Sequence, residues 1–294
     1  AAYVSEAWVN VDPYISESLI VHVTAGLQPV EFNDGRVVGR DDLRLDAQFP
    51  LALRLHLGAA PLSADVVVGA RPTTERTDDW APPFWAARLG AGRASAASAW
   101  QVDAVAVGGE MINPPGVTLG ESDPDYTTLG VYGRADVGRV RAVLDGYAQP
   151  FHDGGTALLG GGRLGWAFGG DARVVLGATV EGKSGADDSP AFQRPWGDAE
   201  DGVGPLARYR SMGQGDGALG AGLFADAVVT PGFRVDTAVW HYRDGTGVPS
   251  GVEFDMDARL YFGPLVNLHL RSGLFGDGEN PVRADTALTL DVQI

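Results

Sequence analysis

The chain has 294 residues and a mean hydropathy of −0.03, and no stretch approaches the roughly 18 apolar residues that a transmembrane helix needs. A net charge of −16 argues against a nucleic-acid partner, which calls for a basic face, and the absence of cysteine fits a compartment where thiols oxidise. Near-zero hydropathy is also what alternating strands give when half their positions face water.

From the N-terminus, strands are expected near residues 2–12 and 17–28, and then the pattern becomes strict. From Leu43 to Leu57 every odd position is apolar, while the even positions are Arg44, Asp46, Gln48, Pro50, Ala52, Arg54 and His56. A period of two describes a strand with one apolar and one wet face, and this run exceeds the five or six residues usual in globular proteins. Further strands are expected near 63–72, 84–93, 99–108, 125–136, 139–149, 156–168, 172–182, 217–230 and 232–243. In the next, at 252–262, Val252, Phe254, Met256 and Ala258 alternate with Glu253, Asp255, Asp257 and Arg259. Strands near 265–275 and 283–294 close the chain at Ile294. Short turns such as Val137-Gly138 and Gly263-Pro264 alternate with longer loops such as Lys183–Asp216. Outer-membrane barrels are built with this rhythm of short periplasmic turns and long outer loops.

The expected fold is therefore all-β: a transmembrane antiparallel β-barrel forming one domain, with about fifteen strands in these residues. Bacterial barrels have an even strand count with both termini in the periplasm, so an odd count leaves two readings. Either strands precede Ala1, for a complete barrel of about 16–18 strands, or the count is off by one near 73–98 or 109–125. The expected location is the bacterial outer membrane, with its lipid as one partner. The solute is a hydrophilic molecule or a polysaccharide, and a protein partner or a second copy is left open.

Ala7-Trp8-Val9-Asn10-Val11, the stretch Val23 to Pro29, and Asp34-Gly35-Arg36-Val37-Val38-Gly39-Arg40 resemble segments of the alginate-export family of outer-membrane porins. Phe84 to Leu89, Ser184 to Phe192, and Gly251-Val252-Glu253-Phe254-Asp255 with Tyr261 are similar to later passages of that family. The resemblance implies a barrel of about eighteen strands whose first strands lie upstream of Ala1, and a role in passing an anionic polysaccharide. The chain departs from common barrel endings by closing on Ile294 instead of an aromatic residue.

The wet faces carry the candidate site residues. A polyanion channel calls for a cationic constriction, and Arg139, Arg141, Arg163 and Arg173 fall on neighbouring strands where they would make one. Arg44, Arg54, Arg259 and Arg271 are further lumen cations. Against them stand acids that roughly cancel the charge, so cross-strand ion pairs bracing the wall are the alternative. Glu253, Asp255 and Asp257 share one face of one strand. Either they bind a cation, or they pair with Arg234 and Arg271 on adjacent strands. No metal site, cofactor or catalytic residue is assigned. Neither Gly-x-Ser-x-Gly nor His-Glu-x-x-His occurs, although His56 and His269 fall on the wet faces. Trp8, Trp85, Trp100, Trp166, Trp240, Tyr147 and Tyr242 lie near strand ends, where membrane-interface belts form.

Overall fold

A computed structural model describes residues 7–16, 18–28, 30, 32–33, 51–70, 83–95, 98–110, 125–150, 155–169, 173–185, 192, 217–244, 249–262, 266–276 and 282–292. They form fifteen strands: β1 (Ala7–Ile15), β2 (Ile20–Leu27), β3 (Leu51–Ala59), β4 (Leu62–Ala70), β5 (Pro83–Ala94), β6 (Ser98–Glu110), β7 (Asp125–Val137), β8 (Val140–Pro150), β9 (Thr156–Phe168), β10 (Arg173–Lys183), β11 (Ala218–Thr230), β12 (Phe233–Asp244), β13 (Pro249–Tyr261), β14 (Val266–Gly276) and β15 (Arg283–Val292). Each expected strand is found, most of them within two or three residues of the expected bounds. The fold is all-β, and the strands follow one another in the sheet in chain order. Among the described residues no ladder joins β1 to β15. Arg44, Asp46 and Ile294 lie outside the described residues.

The antiparallel ladders are long and regular. β10 pairs with β11 from Arg173↔Val228 to Lys183↔Ala218, and β13 pairs with β14 from Val252↔Gly276 to Tyr261↔Asn267. Hairpin turns are tight. Gly138 takes φ +60° at the first central position of the β7–β8 turn, a conformation that costs a glycine little. The first strand departs from expectation: it runs to Ile15, through Pro13, where the sequence suggests a turn. Register shifts between Val11 and Tyr14, so the proline falls at a bulge in the β1–β2 ladder. Such a position requires no ladder hydrogen bond from it.

The chain divides into two compact units, Ala1–Gly133 with Gly146–Ala157 and Gln193–Asp198, and Arg134–Asp145 with Leu158–Phe192 and Ala199–Ile294. In each unit the sheet has the same two faces. In the first, Leu51, Leu53, Leu55 and Leu57 of β3 and Val66 and Val68 of β4 are exposed, while Ala52 and Val67 between them are buried. In the second, Leu158, Leu164, Trp166 and Phe168 of β9 are exposed while Leu159 and Ala167 are buried. Large apolar side chains thus stand uncovered on one face of each unit.

Glycines and aromatic rings pair across the inward face. A Cβ on Gly220 would meet the Tyr242 ring at 2.5 Å, and one on Gly222 would meet Trp240 at 3.1 Å. Gly69 lies under Phe84 in the same way, and Gly177 under Phe224. In the ladders each ring stands directly opposite its glycine: Tyr242↔Gly220, Trp240↔Gly222, Phe84↔Gly69 and Phe224↔Gly177. A ring laid flat on a glycine covers backbone that would otherwise be bare, and it packs strands closely without competing side chains.

Candidate functional site

The inward face changes character along the strands. In both units, rows near the long loops carry mainly aromatic, aliphatic and small residues, joined in the second unit by the buried acids Glu181, Glu253 and Asp255, and rows nearer the tight turns carry the arginines with their partner acids. In the first unit the loop-side rows bury Phe84, Ala86, Val105 and Val107, and Gln149 donates a hydrogen bond to Thr128 at 3.2 Å. In the second unit they bury Trp240, Tyr242 and Phe275, with the first two rings stacked at 5.6 Å.

The charged rows of the first unit centre on Asp65, whose side chain is fully covered. Its Oδ1 accepts from Arg54 Nε at 3.0 Å and Nη2 at 2.7 Å, and His56 Nδ1 stands 3.0 Å from the same oxygen. Its Oδ2 accepts from Arg88 Nε at 2.9 Å and Nη2 at 2.7 Å. Arg88 also donates to Ser63 Oγ at 3.2 Å and reaches Asp103 at 3.5 Å, and Gln101 donates to Asp103 at 2.6 Å. The row extends to β2, where His22 stacks on His56 at 5.8 Å and binds Asp12 through Nδ1. Register explains the convergence: His22↔His56, His56↔Asp65 and Asp65↔Arg88 are direct neighbours across β2, β3, β4 and β5.

In the second unit the register sets like charge against like. Asp226 faces Asp236, which faces Asp257, while Arg234 faces Arg259 one row nearer the turns. Like charges directly opposite repel, so pairing runs along the strands instead. Arg234 donates to Asp236 at 3.0 Å and Arg259 to Asp257 at 3.1 Å, each two residues apart in sequence. Asp226 is reached from farther away. Arg163 on β9 crosses β10, passes its guanidinium over the Phe224 ring at 3.6 Å and donates to Asp226 at 2.7 Å. Gly177, opposite Phe224, leaves the room for that crossing. These arginines keep about two-fifths or more of their side-chain surface exposed, so this half of the face is wet.

The expected arginine constriction is not assembled as such. Arg139 lies in the β7–β8 turn, exposed, with its carbonyl accepting from the Ala167 amide at 2.8 Å. Arg141 approaches Asp136 at 3.8 Å, Arg163 turns to Asp226, and Arg173 is half-buried at the start of β10. Arg54 joins the Asp65 network. Arg271 stands opposite Asp257 in register, and its side chain, like that of His269, lies outside what is described. The acidic trio separates: Asp257 pairs with Arg259, whereas Glu253 and Asp255 are buried next to the aromatic rows. The expected partner Arg234 is taken by Asp236, because register brings it opposite Arg259 and not opposite an acid. Among the described residues no group of three or more His, Asp or Glu side chains is arranged to hold a metal ion.

Trp240, Tyr242 and Tyr147 face inward and are buried, so they do not belong to an interface belt. Trp85, Trp100 and Trp166 are exposed on the apolar face, whereas Trp8, also exposed, stands opposite Gly26 on the face that carries Asn10, Thr24 and His22. Asp65 is the main residue that sequence reasoning missed. β4 offers Val66, Val67 and Val68 in succession, so no alternation marks which side Asp65 occupies. The signal that would find it is the tight hairpin, which fixes Asp65 opposite His56.

No protein-family model matches the chain, and comparison with curated proteins finds no relative.

Proposed function

We propose that the chain forms the wall of a bacterial outer-membrane β-barrel channel through which hydrophilic solutes diffuse passively. The observation that carries this reading is the inverted two-faced sheet: leucine, valine and tryptophan exposed on one side, ion pairs gathered on the other. Soluble proteins rarely expose apolar patches beyond a few hundred Å², whereas lipid is the solvent that such a face fits. Strands of nine to thirteen residues, as in β3 and β9, suit the 9–11 residues of a tilted crossing. Closure into a barrel then removes the open edges that long strands would otherwise present.

The half-exposed guanidiniums and carboxylates of the turn-side rows supply a polar lining for water and solute. A polysaccharide is the narrower solute class, supported by the resemblance to alginate exporters. The balanced charge of the lining favours uncharged or mixed hydrophilic solutes over a strict polyanion path. A second reading, a barrel whose lumen is filled and which anchors a partner in the membrane, is favoured by one observation. The loop-side rows are dry, with Tyr242 at 1% exposure and Val107 and Glu253 at 0%. Single-channel recording of the purified protein in planar bilayers separates the two. Stable current steps are expected. A folded, inserted and silent barrel would overturn the channel and leave the anchor.

A further inference from the structure

We infer that Asp65 determines charge selectivity in its part of the wall: its carboxylate is a built-in counter-ion occupying a cationic cradle that would otherwise take a passing anion. The inference rests on the channel reading. The cradle consists of Arg54, His56 and Arg88, which direct five contacts onto two carboxylate oxygens at 2.7 to 3.0 Å. Paired guanidinium donors are the geometry that recognises carboxylate and phosphate, so the same groups fit an external oxyanion.

The burial is asymmetric. The Asp65 side chain is 0% exposed, while Arg54 and His56 keep 30% and 29%. The anion is hidden while the Arg54 guanidinium faces the water. Bracing alone would be met by one guanidinium per carboxylate, as in the Arg234–Asp236 and Arg259–Asp257 pairs. Here one carboxylate holds two guanidiniums. The second acid, Asp103, touches Arg88 only at 3.5 Å and is held at 2.6 Å by Gln101. With Asp65 present, two guanidiniums balance two carboxylates. Neutralising Asp65 leaves one net positive charge and frees the donors that bind it.

The test is the reversal potential of the purified chain in a planar bilayer under a potassium chloride gradient. Asp65→Asn is expected to raise the chloride-to-potassium permeability ratio about threefold or more, the order set by one added charge beside a water-filled path. Arg54→Gln, which keeps Asp65, is expected to move the ratio the opposite way. A folded Asp65→Asn barrel with heat-shifted gel mobility like the parent's and an unchanged ratio overturns the inference. If Asp65→Asn does not fold, Arg54→Gln decides: a ratio unchanged or shifted toward chloride overturns it. A silent parent protein sinks the channel reading and this inference together, whereas a conducting parent with indifferent variants sinks this inference alone.

Discussion

Gly220 lies beneath the ring of Tyr242, and a side chain there has nowhere to go: an added Cβ would stand 2.5 Å from one ring carbon and 2.7 Å from another. Gly220→Val is expected to cost about 1–3 kcal/mol by overpacking, read as a lower urea midpoint for unfolding from lipid or detergent. Gly146, where an added Cβ would meet nothing within 4 Å, is the control: Gly146→Ala is expected to leave the midpoint unchanged or raise it slightly. Arg163 tests a second kind of contact. Because its side chain is 43% exposed, solvent screening limits the Arg163–Asp226 coupling to about 0.5–1 kcal/mol in a double-mutant cycle. A coupling near zero would mean that Arg163 is held by the Phe224 ring alone. At this scale the sequence is only partly legible. The parity of charged residues on one strand is visible, and it places Arg54, Arg163 and Arg259 on the polar face. Which acid each arginine meets depends on register between strands, and a strand's own residues do not carry that information. Hence Arg163 finds Asp226 two strands away, and the trio at 253, 255 and 257 divides.

Strands are the legible level, because an apolar row and a polar row alternate along the length of each strand. β3 and β13 announce themselves in this way. β4 and β9 do so weakly, since glycine, alanine and valine occupy both faces, and there the tight turns carry most of the information. Pro13 misleads for a physical reason: proline normally ends a strand, and the bulge between Val11 and Tyr14 accommodates it here. The same alternation gives a test that a soluble sheet would fail. Leu164 lies nearer the middle of β9 and Leu158 nearer its start, both on the exposed face. Leu164→Arg is expected to cost about 2–4 kcal/mol of stability in lipid, against about 0–1 kcal/mol for Leu158→Arg. Reversible unfolding from vesicles measures both. Equal and negligible costs would place this face in water and remove the membrane from the account.

For the whole molecule, the tryptophans provide the ruler. Trp85 sits near the loop end of β5 and Trp100 near the turn end of β6. Trp100 pairs with Arg93, eight positions along β5 from Trp85 (93 − 85). At about 3.4 Å per residue that is roughly 27 Å along the strand, or about 20 Å along the membrane normal at a tilt of about 40°. The apolar band of an outer-membrane barrel is about 25 Å tall, so under the proposed membrane function the two rings would fall near its opposite margins, where amphipathic indoles prefer to lie. Trp240 shares strand parity with Arg234 and Asp236 and is buried inward, which excludes it from either margin. Parity is therefore the better guide to a belt position than nearness to a strand end. Variants retaining one tryptophan each, with the others changed to phenylalanine, turn this into a measurement in vesicles of brominated lipid. Trp85 and Trp100 are expected to be quenched most by bromines placed shallow in the acyl chain, and Trp240 to be insensitive at every depth. Quenching of Trp240 as strong as that of Trp85 would reverse the assignment of faces on β12. Insensitivity of all three would mean that the exposed leucines and valines meet something other than lipid, and the sheet would need a protein cover in place of a membrane.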